Sequence, residues 1–476
     1  MVTSIALGLI GNYCTIPGVS VNGALVSNMT SVYDPGQIDY YGNSGPAFFT
    51  DVMSVFAVEY AQSIGILPGV KIKLRRFTDC GQYEPLLDQS YSGSPSGFAL
   101  SILAQDIVET YPDVIGVIGT EYSSTAKGVA EVLSNNKITY CSTASGAPSL
   151  SDKKKYPYFW RVVPSAGTGE HFYQLLSSFN VTRVAVVYQS NSELGRGFAS
   201  DFLQSMMAHG ITVIAYMPVS LEASQEMIEY VGKSLDASSV KYIFLSGSGS
   251  FLGKILDGLG RANFFSQDKV WLVANLVSTP SPDTVLVANK TGIILMYPKG
   301  FPNTSLQKTV MSQFLEKYPA ATDPEFVYLY QTFDCVMLML LGLQNLVRSN
   351  SSFTIDMLAK RQLQEHINFT LFQNLGYSGL VNSPVELTDN GDLASPWAAY
   401  YYTGDYLNIT GTIFWENCWT HLYQRSVKRI TTLLYSRIVM ILNQFFMEDL
   451  LLLHRMEDKL CQISYNIQCR IDMELY

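Results

Sequence analysis

Short, unbroken apolar runs alternate with longer stretches of helical periodicity in this chain, and the alternation starts twice. Ile5–Ile10 precedes a helical pattern over Phe48–Ser63, and Val70–Phe77 precedes one near Leu100–Thr110. Val114–Ile118, closed by Gly119, precedes a pattern at Thr125–Asn135, and Ile138–Cys141 ends the series. After Tyr156-Pro-Tyr-Phe-Trp-Arg-Val-Val-Pro164 the rhythm resumes. Helical patterns at Glu170–Phe179, Leu194–His209, Gln225–Leu235 and Phe251–Arg261 alternate with runs at Val184–Tyr188, Ile211–Met217, Tyr242–Ser246, Val270–Ala274 and Ile293–Met296. Strands with no polar alternation are buried on both faces, which requires parallel sheets covered by helices. About nine such strands are many for one sheet. The pattern predicts an α/β chain of two doubly wound parallel-sheet lobes, joined near Val163–Pro164. Ligands of such sheets sit at the carboxyl ends of the strands. Two facing lobes then share one cleft, and hinge closure over it is the expected motion.

Composition removes several function classes. The chain has 476 residues, 47% hydrophobic and 15% charged, which excludes a disordered polymer. The 31 basic and 40 acidic residues leave a net charge of −9 with no long basic run, so no nucleic-acid partner is expected. The apolar stretch Phe326–Val347 contains Asp334 and Gln344 and reads as a buried helix rather than a membrane span. Neither a G-x-S-x-G elbow nor an H-E-x-x-H pair occurs. In Ser246-Gly-Ser-Gly-Ser-Phe-Leu-Gly-Lys254 the glycine spacing is one residue too long for a phosphate loop, and Ile255 replaces the required hydroxyl. That run reads as a strand-to-helix turn. No catalytic residue, cofactor or metal is expected.

Cysteines and asparagines speak to compartment. The 7 cysteines stand at 14, 80, 141, 335, 418, 461 and 469, with no C-x-x-C pair; an odd number leaves a free thiol or an intermolecular bond. Cys14 and Cys80 follow the first and second predicted strands, neighbours in a doubly wound sheet. A Cys14–Cys80 disulfide is the expectation, with two separate buried thiols as the alternative. N-x-S/T acceptors begin at Asn28, Asn180, Asn289, Asn303, Asn350, Asn368 and Asn408. Chance would give roughly three or four, so a secreted or extracellular glycoprotein is expected. Ser4–Ile10 is short, lacks a basic flank and reads as a strand, not a leader. The true amino terminus is therefore expected to lie outside this sequence. Beyond Gly411 no glycine or proline occurs, and residues from His421 onward read as an amphipathic helical tail. It is a dimerising helix, a packed appendage, or an end foreign to the domain.

The candidate site follows from strand ends. In Gly119-Thr-Glu-Tyr-Ser-Ser-Thr125, Ser123, Ser124 and Thr125 cap the helix that follows, and their hydroxyls and free N–H groups also suit a polar or anionic ligand group. Ser142-Thr-Ala-Ser-Gly-Ala-Pro148 is similarly placed, with small residues that let a ligand approach the backbone. Tyr156, Tyr158, Phe159 and Trp160 read as inter-lobe packing rather than a ligand cage. Glu193 and Arg196 read as solvated or helix-capping, with cleft contact the minority reading, and Tyr400–Tyr402 as an edge strand.

Several segments, in order, resemble one family. They are Gly65-Ile-Leu-Pro-Gly69, Val117-Ile-Gly119 with Ser123-Ser124, and Leu150-Ser-Asp152 followed by Tyr156–Ser165. Arg183-Val-Ala-Val-Val-Tyr188 before Leu194-Gly-Arg-Gly197, Tyr330-x-x-x-Asp334 and Leu387-Thr-Asp-Asn-Gly-Asp392 complete the set. Together they span roughly residues 4–411 and are similar to the type I periplasmic-binding-protein fold of receptor ligand-binding regions. The resemblance is to the extracellular domains of class C G-protein-coupled receptors and receptor guanylate cyclases. The resemblance implies a Venus-flytrap. Lobe 1 takes residues 1–163 and 298–385; lobe 2 takes 164–297, with lobe 2 or hinge strands over 386–411 and the helical tail at 412–476. Its implied ligand contacts are Ser123, Ser124, Ser145 and Gly146 from lobe 1, and Leu194 and Ser248 from lobe 2. Ser123 matches the family's carboxylate-binding hydroxyl. Gly146, Ala166 and Leu194 depart from the family's threonine, acid and tyrosine, which weighs against an α-amino acid itself; the expected ligand is a small molecule, amino-acid-like or another small anion.

The implied function is an extracellular sensing module, from the ectodomain of a membrane receptor, anchored only through a segment not seen in this chain. Homo- or heterodimers are compatible with it. A soluble solute-binding protein serving a transporter is the alternative, and a non-binding dimerising scaffold or a doubly wound enzyme are weaker rivals.

Overall fold

A computed structural model describes residues 4–11, 13, 16, 20–22, 25–28, 44–78, 97–119, 123–165, 168–262, 264, 269–274, 292–298, 303–319, 328–395, 397–402 and 409–414. The Cys14–Cys80 pair, Ala166, Asn289, Asn408, the side chain of Asn28 and residues 415–476 of the tail lie outside it. Among the described residues are two seven-stranded sheets and ten α-helices.

The first sheet holds β1 (Ser4–Gly11), β2 (Ser20–Asn22), β3 (Leu25–Asn28), β4 (Lys71–Thr78), β5 (Val114–Gly119), β6 (Thr139–Ser142) and β7 (Phe159–Arg161), in the order β2-β3-β4-β1-β5-β6-β7. β4, β1, β5, β6 and β7 run parallel, and β2 and β3 are antiparallel additions at one edge. Helices α1 (Ser44–Ser63), α2 (Gly97–Thr110) and α3 (Ser123–Asn135) make the crossovers. β5 is buried along its whole length, and this double-sided burial is the source of the apolar runs in the sequence.

The second sheet is ordered β14-β13-β12-β11-β10-β8-β9. It contains β8 (Arg183–Gln189), β9 (Thr212–Val219), β10 (Tyr242–Ser246), β11 (Val270–Ala274) and β12 (Ile293–Pro298), all parallel. Helices α4 (Thr168–Ser178), α5 (Glu193–Ala208), α6 (Gln225–Ala237) and α7 (Gly249–Arg261) cover it. Helix α8 (Ser305–Lys317), which the sequence pattern did not disclose, α9 (Tyr328–Ser349) and the short α10 (Ile355–Ala359) pack on the first sheet again. β13 (Trp397–Tyr402) and β14 (Ile409–Phe414) then join the second sheet antiparallel.

Two expectations are corrected here. Tyr400–Tyr402 does not lie on an edge: β13 pairs with β12 on one side and β14 on the other. The aromatic run is not inter-lobe packing. Tyr156 and Phe159 belong to the core between the first sheet and α2–α3. Trp160 belongs to the opposite core, where it stacks on Phe372 at 4.5 Å and donates its indole N–H to Thr139 Oγ1 at 2.9 Å.

The reading of residues 326–347 as a buried helix agrees with α9, and no described helix is long and apolar enough to cross a membrane. Its polar residues are anchors. Asp334 accepts the N–H groups of Leu380 and Val381 and the hydroxyl of Tyr377, and Gln344 accepts the N–H of Leu67 at 2.8 Å. A disulfide joins Cys141 at the end of β6 to Cys335 in α9, with Cα atoms 5.9 Å apart.

Candidate functional site

The parallel strands of each sheet deliver their carboxyl ends to loops that begin helices. β5 ends at Gly119, whose φ is +130°; a Cβ there would stand 2.1 Å from the carbonyl oxygen of Ile10, so only glycine fits between β1 and β5. Its carbonyl accepts the hydroxyl of Tyr140 at 2.8 Å. The chain then enters α3 at Ser123. Ser123 is buried, and its Oγ accepts the N–H of Ala147 at 3.0 Å, tying the start of α3 to the loop after β6. Ser124, one residue on, is exposed.

The loop after β6 is held from beneath. Ser145 and Gly146 are buried. Ser142 Oγ accepts the N–H of Ser145 at 3.1 Å, and Ser165 donates its hydroxyl to the carbonyl of Gly146. The fully buried guanidinium of Arg161 donates to the carbonyls of Ser145 and Ala147 at 2.7 and 2.9 Å, to Ser151 Oγ at 2.8 Å, and to the Asp392 carboxylate at 2.6 Å. Each nitrogen of this buried Arg thus donates to an acceptor, the condition on which such a cation is tolerated.

On the second sheet, Gln189 ends β8, fully buried. Its Oε1 accepts the N–H of Ser248, the N-cap of α7, at 2.9 Å. Gly195 and Gly247 pack against it: a Cβ at Gly195 would lie 2.7 Å from its carbonyl oxygen, and one at Gly247 2.9 Å from its Cβ. Gln189 therefore sets the starts of both α5 and α7. Ser248 is half-buried and accepts the N–H of Phe251. Leu194, also half-buried, packs against the α4–α5 side of the second core.

Glu193, read from sequence chiefly as solvated or capping and only secondarily as a cleft contact, reaches the other sheet's elements. Its Oε1 accepts Lys127 Nζ of α3 at 2.9 Å and Ser149 Oγ at 2.8 Å, and Oε2 accepts Arg196 at 2.9 Å. Burial by itself raises the carboxyl pKa; the hydrogen bonds from Lys127, Ser149 and Arg196 outweigh it and bring the group down to about 2. Sequence spacing carried no signal for this, because Lys127 stands 66 positions earlier. Arg161, Gln189 and the Cys141–Cys335 bond were missed for the same reason.

Among the glycan acceptors, Asn180, Asn303 and Asn350 are exposed and Asn368 is half-buried. The Oδ1 atoms of Asn350 and Asn368 each accept the N–H of the hydroxyl residue two positions on, at 2.9 and 3.0 Å.

A sequence profile described as the receptor family ligand binding region matches residues 55–400. Metabotropic glutamate receptor 4 of Mus musculus is 27% identical over 218 residues, covering 42% of this chain and 23% of that protein. The extracellular calcium-sensing receptor of Homo sapiens is 22% identical over 281 residues, 56% of this chain and 26% of that protein. The chain thus spans about a quarter of the length of these relatives. A solved ABC transporter substrate-binding protein from Desulfitobacterium hafniense, in complex with Leu, superposes with a TM-score of 0.56 at 16% identity, covering 87% of this chain and 100% of that one. That likeness concerns the fold alone. The profile match spans well over half of the chain, on a two-sheet α/β frame that brings strand ends and helix starts together, and so this chain belongs to the receptor family ligand-binding regions, the Venus-flytrap domains found among its class C receptor relatives.

Proposed function

We propose that this chain is a non-catalytic, extracellular sensing module that closes over a small molecule between its two lobes, as the ectodomain, or part of it, of a membrane receptor. The observation that carries the reading is the family match over residues 55–400, on a frame whose two sheets each direct strand ends and helix starts into loops that meet. Ser123, Ser124, Ser145 and Gly146 supply one wall, and Leu194 and Ser248 the other. The mechanism is a population shift: a ligand touching both walls favours the closed arrangement by its differential affinity. With Gly146 and Leu194 in place of the family's threonine and tyrosine, an α-amino acid itself is less favoured, and the walls that remain suit a small ligand held chiefly by hydroxyls and backbone N–H groups, amino-acid-like or another small anion. Dimerisation is compatible with this reading.

The structural likeness to a substrate-binding protein over the whole of that chain favours one second reading, a soluble carrier that delivers solute to a transporter. Expression of the complete gene product separates the two: retention in the plasma membrane supports the receptor, and release as a soluble protein supports the carrier. Ligand binding itself is tested by thermal shift of the secreted protein against amino acids, amines, small carboxylates, nucleosides and sugars.

A further inference from the structure

We propose that Glu193, Lys127 and Ser149 form a latch that holds the two lobes together in the absence of ligand, and so sets how far the closed arrangement is populated before any ligand arrives. The inference rests on the two-lobed sensing reading above and assigns a regulation to the same site.

Glu193 opens α5, one residue after the N-cap Ser192, whose side chain accepts the N–H of Gly195. A carboxylate in that first turn is already favoured by the helix N-terminus. Arg196 of the same helix satisfies one of its oxygens at 2.9 Å. The other oxygen is committed entirely to the first-sheet side, to Lys127 Nζ at 2.9 Å and Ser149 Oγ at 2.8 Å. Only 12% of the Glu193 side chain is exposed, against 38% of Lys127. The pair is therefore partly withdrawn from solvent and is screened less than a surface ion pair.

The backbone is shaped for the same contact. A Cβ on Gly197 would lie 2.8 Å from Pro148 Cδ, so the glycine lets the first turns of α5 approach the 3-10 turn Pro148–Ser151. Lys127 lies one turn into α3, after Ser123 and Ser124, and Ser149 follows the Ser145–Gly146 loop. The latch thus borders the proposed ligand walls, and opening the lobes separates its charges. A charge-assisted hydrogen bond lost in this way shifts an open-to-closed ratio about tenfold.

The test uses the full chain with no ligand added. Spin labels on noncanonical residues at Ile64 and Met207, which are 54% and 67% exposed, report the distance between the far ends of the two lobes. Glu193→Gln and Lys127→Met are each expected to move the distance distribution about tenfold toward the longer, open population. The double variant is expected to add little to either, and the exchanged pair K127E/E193K to return the distribution toward the wild type. Distributions that match the wild type in both single variants overturn the latch, as does an exchanged pair that stays as open as the singles. The measurement needs no ligand, so a fruitless ligand screen leaves its result standing, and a failed latch leaves ligand binding untouched.

Discussion

Arg161 and Asp392 meet at 2.6 Å with 231 positions of sequence between them, and both are buried. Ser151 bridges them, accepting from the guanidinium at 2.8 Å and donating to the second carboxylate oxygen at 2.7 Å. The neighbouring backbone follows suit, the N–H of Arg161 meeting the carbonyl of Gly391 at 2.9 Å. One cation thereby fastens the 387–393 turn to β7 and, through the carbonyls of Ser145 and Ala147, fixes the loop proposed as a ligand wall.

Removing Asp392 leaves that cation buried with one acceptor fewer. Asp392→Ala is expected to lower stability by about 3–5 kcal/mol, read by urea denaturation. Any ligand found for the chain is expected to bind this variant more weakly, because the Ser145–Ala147 carbonyls lose a fixed donor. A loss below about 1 kcal/mol contradicts the assignment.

The Cys141–Cys335 bond closes a loop of 194 positions between β6 and α9. Chain-entropy arguments give such a loop about 5 kcal/mol of stabilisation as an upper figure. The double variant C141A/C335A is expected to melt well below the wild type, and reducing agent to lower the melting point of the wild type more than that of the variant. Alkylation of both sulfurs in the unreduced, unfolded protein would contradict the bond.

Gly197→Ala places a methyl group 2.8 Å from Pro148 Cδ. The relaxation expected is a small separation of α5 from the Pro148–Ser151 turn, not unfolding of either lobe. Circular dichroism is predicted unchanged, while the Ile64–Met207 distance lengthens as it does for Glu193→Gln. An unchanged distance shows that the close approach is not needed for closure.

Lys153 is half-buried, donates to the carbonyl of Phe159 at 2.7 Å, and has its ammonium 5.0 and 5.2 Å from the ring centres of Phe159 and Phe369. Burial lowers its pKa from 10.5 to about 7, with the Asp392 carboxylate opposing and the Arg161 charge assisting. Between about pH 7 and 10.5 the unfolded chain holds a proton that the folded chain has released, so this residue's contribution to stability rises with pH across that window. Urea denaturation from pH 6.5 to 9.5 is expected to show the wild type gaining on Lys153→Met as pH rises. A constant difference would mean that Lys153 stays charged in the fold.

Much of the frame was legible because burial on both faces writes itself as uninterrupted apolar runs. Val184–Val187 and Val114–Ile118 are such runs, and both lie fully buried in parallel sheets. α9 was legible as buried because Asp334 and Gln344 break its apolar surface, and both prove to anchor loops. The antiparallel strands were harder. β13 pairs with β12 about a hundred positions earlier, so nothing local marked Tyr400–Tyr402 as interior to a sheet. Of the site, the strand-to-helix turns before α3 and α7 could be read, but the expected Ser123 cap is not what its Oγ does, since it accepts from Ala147, while Ser248 caps α7. Glu193, Gln189 and Arg161 could not, since each acquires its role from partners on other elements.

The central claim is that a small molecule binds between the lobes, and thermal shift of the secreted chain tests it most directly. The panel is amino acids, amines, small carboxylates, nucleosides and sugars, with Ser124→Leu beside the wild type because Ser124 is exposed and its replacement spares the core. At about 100 times its dissociation constant a ligand adds roughly 2.7 kcal/mol, enough to raise the melting point by a degree or more. The account predicts that one chemical class raises the melting point of the wild type and raises that of an equally folded Ser124→Leu protein less or not at all. A panel without a shift, or a shift of equal size in both proteins, would contradict it.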